Sequence, residues 1–172
     1  MNMILLIVIF TGVNNAYWIM IYNVTNLEGN KFLNGILIGF SELTSGIFAG
    51  LLIEYTTPAT AFRLCCVFGI AFMWLNLFIA PVGSVLSYLT LLVSILGVGG
   101  LFTCIEVWIV KIMPKDQVGG AMVLIFTIGA TASLMAPIIV LYPAPMPFFA
   151  MAGFIILAFA CSLLLSRRTS SL

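Results

Sequence analysis

The sequence predicts an all-α, polytopic membrane protein of six transmembrane helices, and three observations predict it. Of 172 residues, 63% are hydrophobic and 6% are charged, against about a quarter charged in a soluble domain. A soluble chain of this length hides only about 70% of its unfolded surface, so lipid has to be the solvent. The apolar residues also fall into six stretches, Asn2 to Tyr22, Lys31 to Glu54, Ala59 to Ala80, Val85 to Lys111, Gln117 to Tyr142 and Met146 to Ser166. Each has roughly the 20 residues or more that cross a bilayer at about 1.5 Å per residue. Finally, the connections are short: Asn23 to Asn30, Tyr55 to Pro58, Pro81 to Ser84, Ile112 to Asp116 and Pro143 to Pro145. Short links make successive spans antiparallel, and backbone amides left unpaired in lipid cost several kcal/mol each, so the spans are helices. Residues 1 to 172 form one transmembrane domain without a soluble module.

The first stretch is apolar from its start but lacks the basic region and small-residue cleavage site of a secretory signal, so it reads as the first span. Its outer half is polar and aromatic: Asn14, Asn15, Tyr17, Trp18 and Tyr22. Trp18 and Tyr22 fit interfacial anchors. Asn14 and Asn15 lie deeper and either bind a polar solute or join helices. Asn23-Val24-Thr25 is a glycosylation sequon that abuts the membrane and reads as an unmodified turn.

The second stretch carries Glu42, 11 residues after Lys31 and 12 before Glu54, near midplane at about 16 to 18 Å from either end. An acid there costs roughly 2.5 to 3.5 kcal/mol on insertion scales and therefore faces a wet cavity or a partner. Gly35, Gly39, Gly46, Ala49 and Gly50 fall within about 80° of its direction around the helix. That face serves a solute pathway, close helix packing, or both.

Cys65, Cys66, Cys104 and Cys161 are scattered through apolar stretches and suggest neither a disulfide framework nor a metal cluster. Glu106 lies eight residues before Pro114 and shares a helical face with Gly99 and Thr103. Lys111, at i+5, points some 140° away and is no local ion-pair partner for it. Glu106 either lines a cavity, snorkels toward the membrane surface or forms an inter-helix hydrogen bond. Pro137, inside the fifth stretch, predicts a kink.

Arg63, Lys111, Lys115, Arg167 and Arg168 fall at the ends that share a side with both termini, and Lys31 falls opposite. This asymmetry predicts cytoplasmic termini. The net charge of +1, without a basic run, argues against nucleic acid. Histidine is absent, which removes the usual general base and zinc ligand and leaves no serine-histidine dyad. Gly99-Gly100 and Gly119-Gly120 are not followed by the Lys-Ser or Lys-Thr of a phosphate loop. No enzyme activity and no cofactor is expected.

These residues resemble the C-terminal six-helix half of a major facilitator superfamily transporter, most closely the organic cation and anion transporter family. Gly29-Asn30-Lys31-Phe32-Leu33-Asn34 resembles that family's entry to its eighth helix, Glu42 stands where the family often carries an acid, and Tyr17 matches an aromatic of the seventh. Glu54 matches the acidic start of the family's cytoplasmic loop motif. Tyr55 to Pro58 supplies neither of that motif's arginines, with Arg63 the nearest cytoplasmic charge. Pro114 and Pro137 keep the family's spacing, and Ala130 stands where cation-transporting members place an acid.

The resemblance implies membrane transport of a small organic solute, with Glu42, Asn14, Asn15, Tyr17 and Glu106 as lining or proton-coupling candidates and Glu54 and Arg63 as cytoplasmic loop charges. A transporter of this kind builds its site between two halves, so a second six-helix half is expected, in a longer product of the same gene, in a copy of this chain or in another protein. The alternative is a non-transporting subunit of a larger membrane complex, derived from a transporter fold.

Overall fold

The computed structural model describes residues 2–26, 31–78, 84–143 and 145–169. The chain is an all-α polytopic membrane bundle: among these residues, six helical segments are long and apolar enough to cross a membrane. Helix α1 spans Asn2–Asn26, α2 Lys31–Tyr55, α3 Pro58–Phe78 and α4 Val85–Ile112. The fifth crossing is composite, with α5 (Val118–Ala132), a 3-10 turn (Ser133–Met135) and α6 (Ala136–Val140), and α7 spans Met146–Thr169.

The expected boundaries hold to within a few residues, with two informative departures. Helix α1 runs a further turn, to Asn26, and takes in the sequon; there the Asn23 side-chain amide donates to the Ile19 carbonyl at 2.9 Å. The residues are a helical end rather than a turn. At Pro137, where a kink is predicted, the backbone stays helical but changes its winding: proline has no N–H to give the Ser133 carbonyl, and the helix tightens to a 3-10 turn over Ser133–Met135 before continuing as α6. The expected end of the third stretch at Ala80, the Pro81 turn and Gly29-Asn30 lie outside the described residues.

Helix starts and stops follow local chemistry. Ser84 caps α4 by accepting the Ser87 N–H at 3.1 Å, and Thr57 does the same for the Thr60 N–H at the start of α3 at 3.2 Å. Helix α4 closes before Pro114, which disfavours helical backbone at the residue ahead of it; Met113 is extended.

The packing order is simple. The α3–α4 contact is the most extensive, followed by α1–α7, α2–α4 and α1–α5; α1 also meets α4, and α3 meets α7. Exchanging the first three spans for the last three maps this scheme onto itself. The α3–α4 pair becomes α7–α1, α2–α4 becomes α5–α1, α2–α3 becomes α6–α7, and α1–α4 and α3–α7 are unchanged. Three is an odd number of crossings, so triplets related in this way run in opposite directions, the pairing pattern of an inverted repeat. Helices α1 and α4 form the centre, α3 and α7 close the back, and α2 and α5, the least buried spans, flank an open front.

Close approach at the back and centre depends on missing side chains. A Cβ on Gly97 would stand 2.7 Å from the Gly69 nitrogen, and one on Gly69 would stand 2.9 Å from Val98 Cγ2, so α3 and α4 cross with backbones in contact. Ser94 adds a hydrogen bond to the Gly69 carbonyl at 3.0 Å. At the α3–α4 turn, the Asn76 amide donates to the Ser87 carbonyl and to Thr90 Oγ1, at 2.7 and 2.8 Å.

Candidate functional site

The open front brings together side chains from four helices. The Tyr17 hydroxyl of α1 donates to a carboxylate oxygen of Glu42 on α2. The Tyr17 ring stands edge-on to Phe102 of α4, centroids 5.1 Å apart, and edge-on to its neighbour Trp18 at 5.5 Å. Phe102 in turn meets Phe10 of α1 at 5.8 Å, and Phe10 lies 4.7 Å from Phe126 of α5. The result is an aromatic floor across α1, α4 and α5, with one carboxylate on α2 at its edge. Edge-to-face pairs of this kind hold rings in fixed orientation, so the phenol is aimed rather than free. Glu42 is exposed on the open face.

The small-residue face of α2 divides into two uses. Ser45, Gly46 and Ala49 pack on α4: a Cβ on Gly99 would lie 2.7 Å from Ser45 Oγ, one on Gly100 would lie 3.3 Å from the Ala49 Cβ, and Gly46 faces Thr103. Gly35, Gly39 and Gly50 have no atom within 4 Å of an added Cβ. Packing and an open face are therefore both present, and Glu42 stands between them, with the Ser45 hydroxyl donating to its main-chain carbonyl at 2.8 Å.

The two asparagines do not share the open face. Asn14 is buried and donates from its side-chain amide to the Gly129 carbonyl of α5 at 3.0 Å, so it joins helices. Gly129 permits this approach, since a Cβ there would sit 2.4 Å from the Phe10 ring. Asn15 is buried and donates to the Thr11 carbonyl one turn back at 2.9 Å. Replacing Asn14 with Leu is expected to lower stability by about 0.6 to 2 kcal/mol, the range for an inter-helix hydrogen bond in a membrane. The midpoint of denaturation in mixed micelles reads this directly, and an unchanged midpoint would remove the tie from consideration.

Glu106 is exposed one turn beyond Phe102 on α4 and makes no hydrogen bond or ion pair among the described residues. Glu54 is exposed in the last turn of α2. Arg63 is half-buried on the closed back, where its Nη2 donates to the Ser162 carbonyl of α7 at 3.3 Å. It thereby ties α3 to α7. Ala130 is exposed on α5, beside Gly129. Among the described residues no three His, Cys, Asp or Glu side chains gather as metal ligands, and the four cysteines are free thiols.

No protein-family model matches the chain, and no curated protein matches it significantly. An exposed carboxylate, held by a phenol whose proton it already accepts, stands above an aromatic floor and offers a polar solute acceptor oxygens and apolar surface. Phe102 and Phe126, which complete that floor, do not stand out in the sequence. Phe102 carries a signal in retrospect, one helical turn before Glu106 and so on the same face.

Proposed function

We propose that the chain is one half of a secondary transporter for a small organic solute, with the solute held near midplane between Glu42, Tyr17 and the Phe102 floor, and with a second six-helix unit closing the open front. The observation that carries this reading is the Tyr17–Glu42 pair, a carboxylate counted to midplane and exposed on α2, which with α5 is among the least buried spans. Ionisable groups at this depth face water-filled paths or partners rather than lipid. The pairing scheme of an inverted repeat supports it, because alternating access in such folds places the site at the interface between repeats or halves. The resemblance to the C-terminal half of major facilitator superfamily transporters agrees with both. Five of the six basic residues share an end with the termini, which supports cytoplasmic termini.

The rival reading, a packing subunit of a larger membrane complex, is favoured by Asn14, which is committed to a helix-joining bond. The two differ in what must cover the open front. A transporter half pairs with a similar six-helix body, a copy of itself or a separate protein, whereas a subunit binds unrelated chains. Light scattering of the mildly solubilised protein at several dilutions, followed by solute uptake in liposomes, tests the proposal. The expected result is uptake by a two-half assembly and none by the isolated monomer. Uptake by a monodisperse monomer would overturn the need for a second half, and co-purification with unrelated subunits in an assembly without uptake would establish the rival.

A further inference from the structure

We propose that three methionines, one each from α1, α3 and α7, form a binding site for a soft monovalent metal ion, Cu(I), in a small cavity near the end of the bundle opposite the termini. Met20, Met73 and Met151 line this cavity together with Asn23, Asn76 and Ser94, and hydrocarbon completes the wall. All three methionines are buried. Met20 lies six residues before the end of α1, Met73 five before the end of α3 and Met151 five after the start of α7, so the three side chains leave their helices at one level, about 8 to 9 Å inside the span ends. The cavity has a volume of about 10 Å³, room for one water-sized sphere and so for a single ion rather than a molecule.

The lining offers lone pairs and almost no hydrogen to donate. Asn76 gives its amide hydrogens to the Ser87 carbonyl and to the Ser87 and Thr90 hydroxyls, at 2.7 to 3.1 Å, and Asn23 gives one to the Ile19 carbonyl. Ser94 has a single hydrogen and donates it to the Gly69 carbonyl at 3.0 Å; its oxygen stands 3.9 Å from Met20 Sδ, which places that sulfur beside the wall that Ser94 forms. What remains is three thioether sulfurs and two amide oxygens that accept no hydrogen bond among the described residues. Such a lining complements a cation. Three of its five lone-pair donors are thioethers, and soft sulfur ligands select Cu(I), whereas carbonyl and carboxylate oxygens select hard ions. Methionine is a common gap filler in cores, but a filler closes a void, and here three of them surround one that stays open beside polar groups. An ion held there joins α1, α3 and α7. The site is apart from Glu42 and Tyr17 on the open front and stands whether or not the chain transports a solute.

Cu(I) titration of the full chain in detergent, with ascorbate as reductant and bicinchoninate as competing chromophore, tests the site. The expected result is one Cu(I) per chain, with an affinity that does not change between about pH 5 and 7, because a thioether has no proton to lose whereas a thiol must shed one to bind. That pH readout separates the methionines from the four cysteines, which are free thiols. Met73→Leu keeps the side-chain volume and is expected to weaken binding by at least about tenfold. Met135→Leu, exposed and outside the cavity lining, is expected to leave it unchanged. Cu(I) is also expected to raise the thermal midpoint of the natural chain, since an ion bound to the folded state alone stabilises it. Met20→Leu and Met151→Leu supply the same comparison should Met73→Leu fail to fold. Failure of the natural chain to retain stoichiometric Cu(I) would leave the cavity to a water molecule and overturn the site, as would an affinity that rises with pH or equal binding by the natural chain and the three cavity variants.

Discussion

On the proposed transport function, Glu42→Gln is expected to lower solute uptake in liposomes by at least about tenfold while leaving the fold intact. Glutamine keeps the shape of the side chain and still offers an oxygen to the Tyr17 hydroxyl, so the α1–α2 tie and the edge-on contact of Tyr17 with Phe102 persist. What disappears is the carboxylate itself, as a charged acceptor for the solute or as a carrier of a proton. A hydrogen bond to a charged group contributes about 1.5 to 3 kcal/mol, which corresponds to about tenfold to a hundredfold in binding. Tyr17→Phe is the companion change. It keeps the ring packing and removes only the donor, so a smaller fall in uptake is expected. If Glu42 serves packing alone, glutamine fills the role equally well, and uptake by the variant at the natural rate would dismiss the carboxylate from the pathway.

The largest effect on stability is expected at the α3–α4 crossing. In Gly97→Ala the new methyl group meets the Gly69 nitrogen at 2.7 Å and the Cys65 carbonyl at 3.1 Å. Both are backbone atoms, which no rotamer change can move aside. The helices must separate along the most extensive contact in the bundle, and a cost of about 1 to 3 kcal/mol is expected from overpacking. Denaturation in mixed micelles reads the shift. Gly153→Ala is the reference, because nothing lies within 4 Å of an added Cβ there; it should be neutral or slightly stabilising, since Ala is the better helix former. Equal midpoints for the two variants would mean that α3 and α4 do not cross with backbones in contact.

Much of the architecture was legible in residue type and order. Hydrophobicity with almost no charge dictates lipid as solvent, and backbone satisfaction in lipid dictates helices. Proline, serine and threonine set several ends, and Pro137 marked the crossing whose winding changes because its effect is local and covalent. The depth of Glu42 is also a matter of counting along one helix, and so is its sharing a face with glycines. These properties depend on neighbours within a few turns, which the sequence states outright.

Which helix meets which was not legible, and that decides the fate of each polar residue. Asn14 and Tyr17 lie one turn apart on α1, yet Asn14 is spent on Gly129 of α5 and Tyr17 reaches Glu42 on α2. The α2 glycine face divides between contact with α4 and open surface for the same reason. Arg63, a charge near a loop in the sequence, is tied to Ser162 across the bundle, 99 residues away. Helical periodicity fixes the angle at which a side chain leaves its own axis but says nothing of the neighbour it points toward. In lipid, apolar burial gives little preference among alternative helix pairings, so small-residue fit and inter-helix hydrogen bonds select the arrangement, and those are properties of pairs of distant segments that only the tertiary structure brings together.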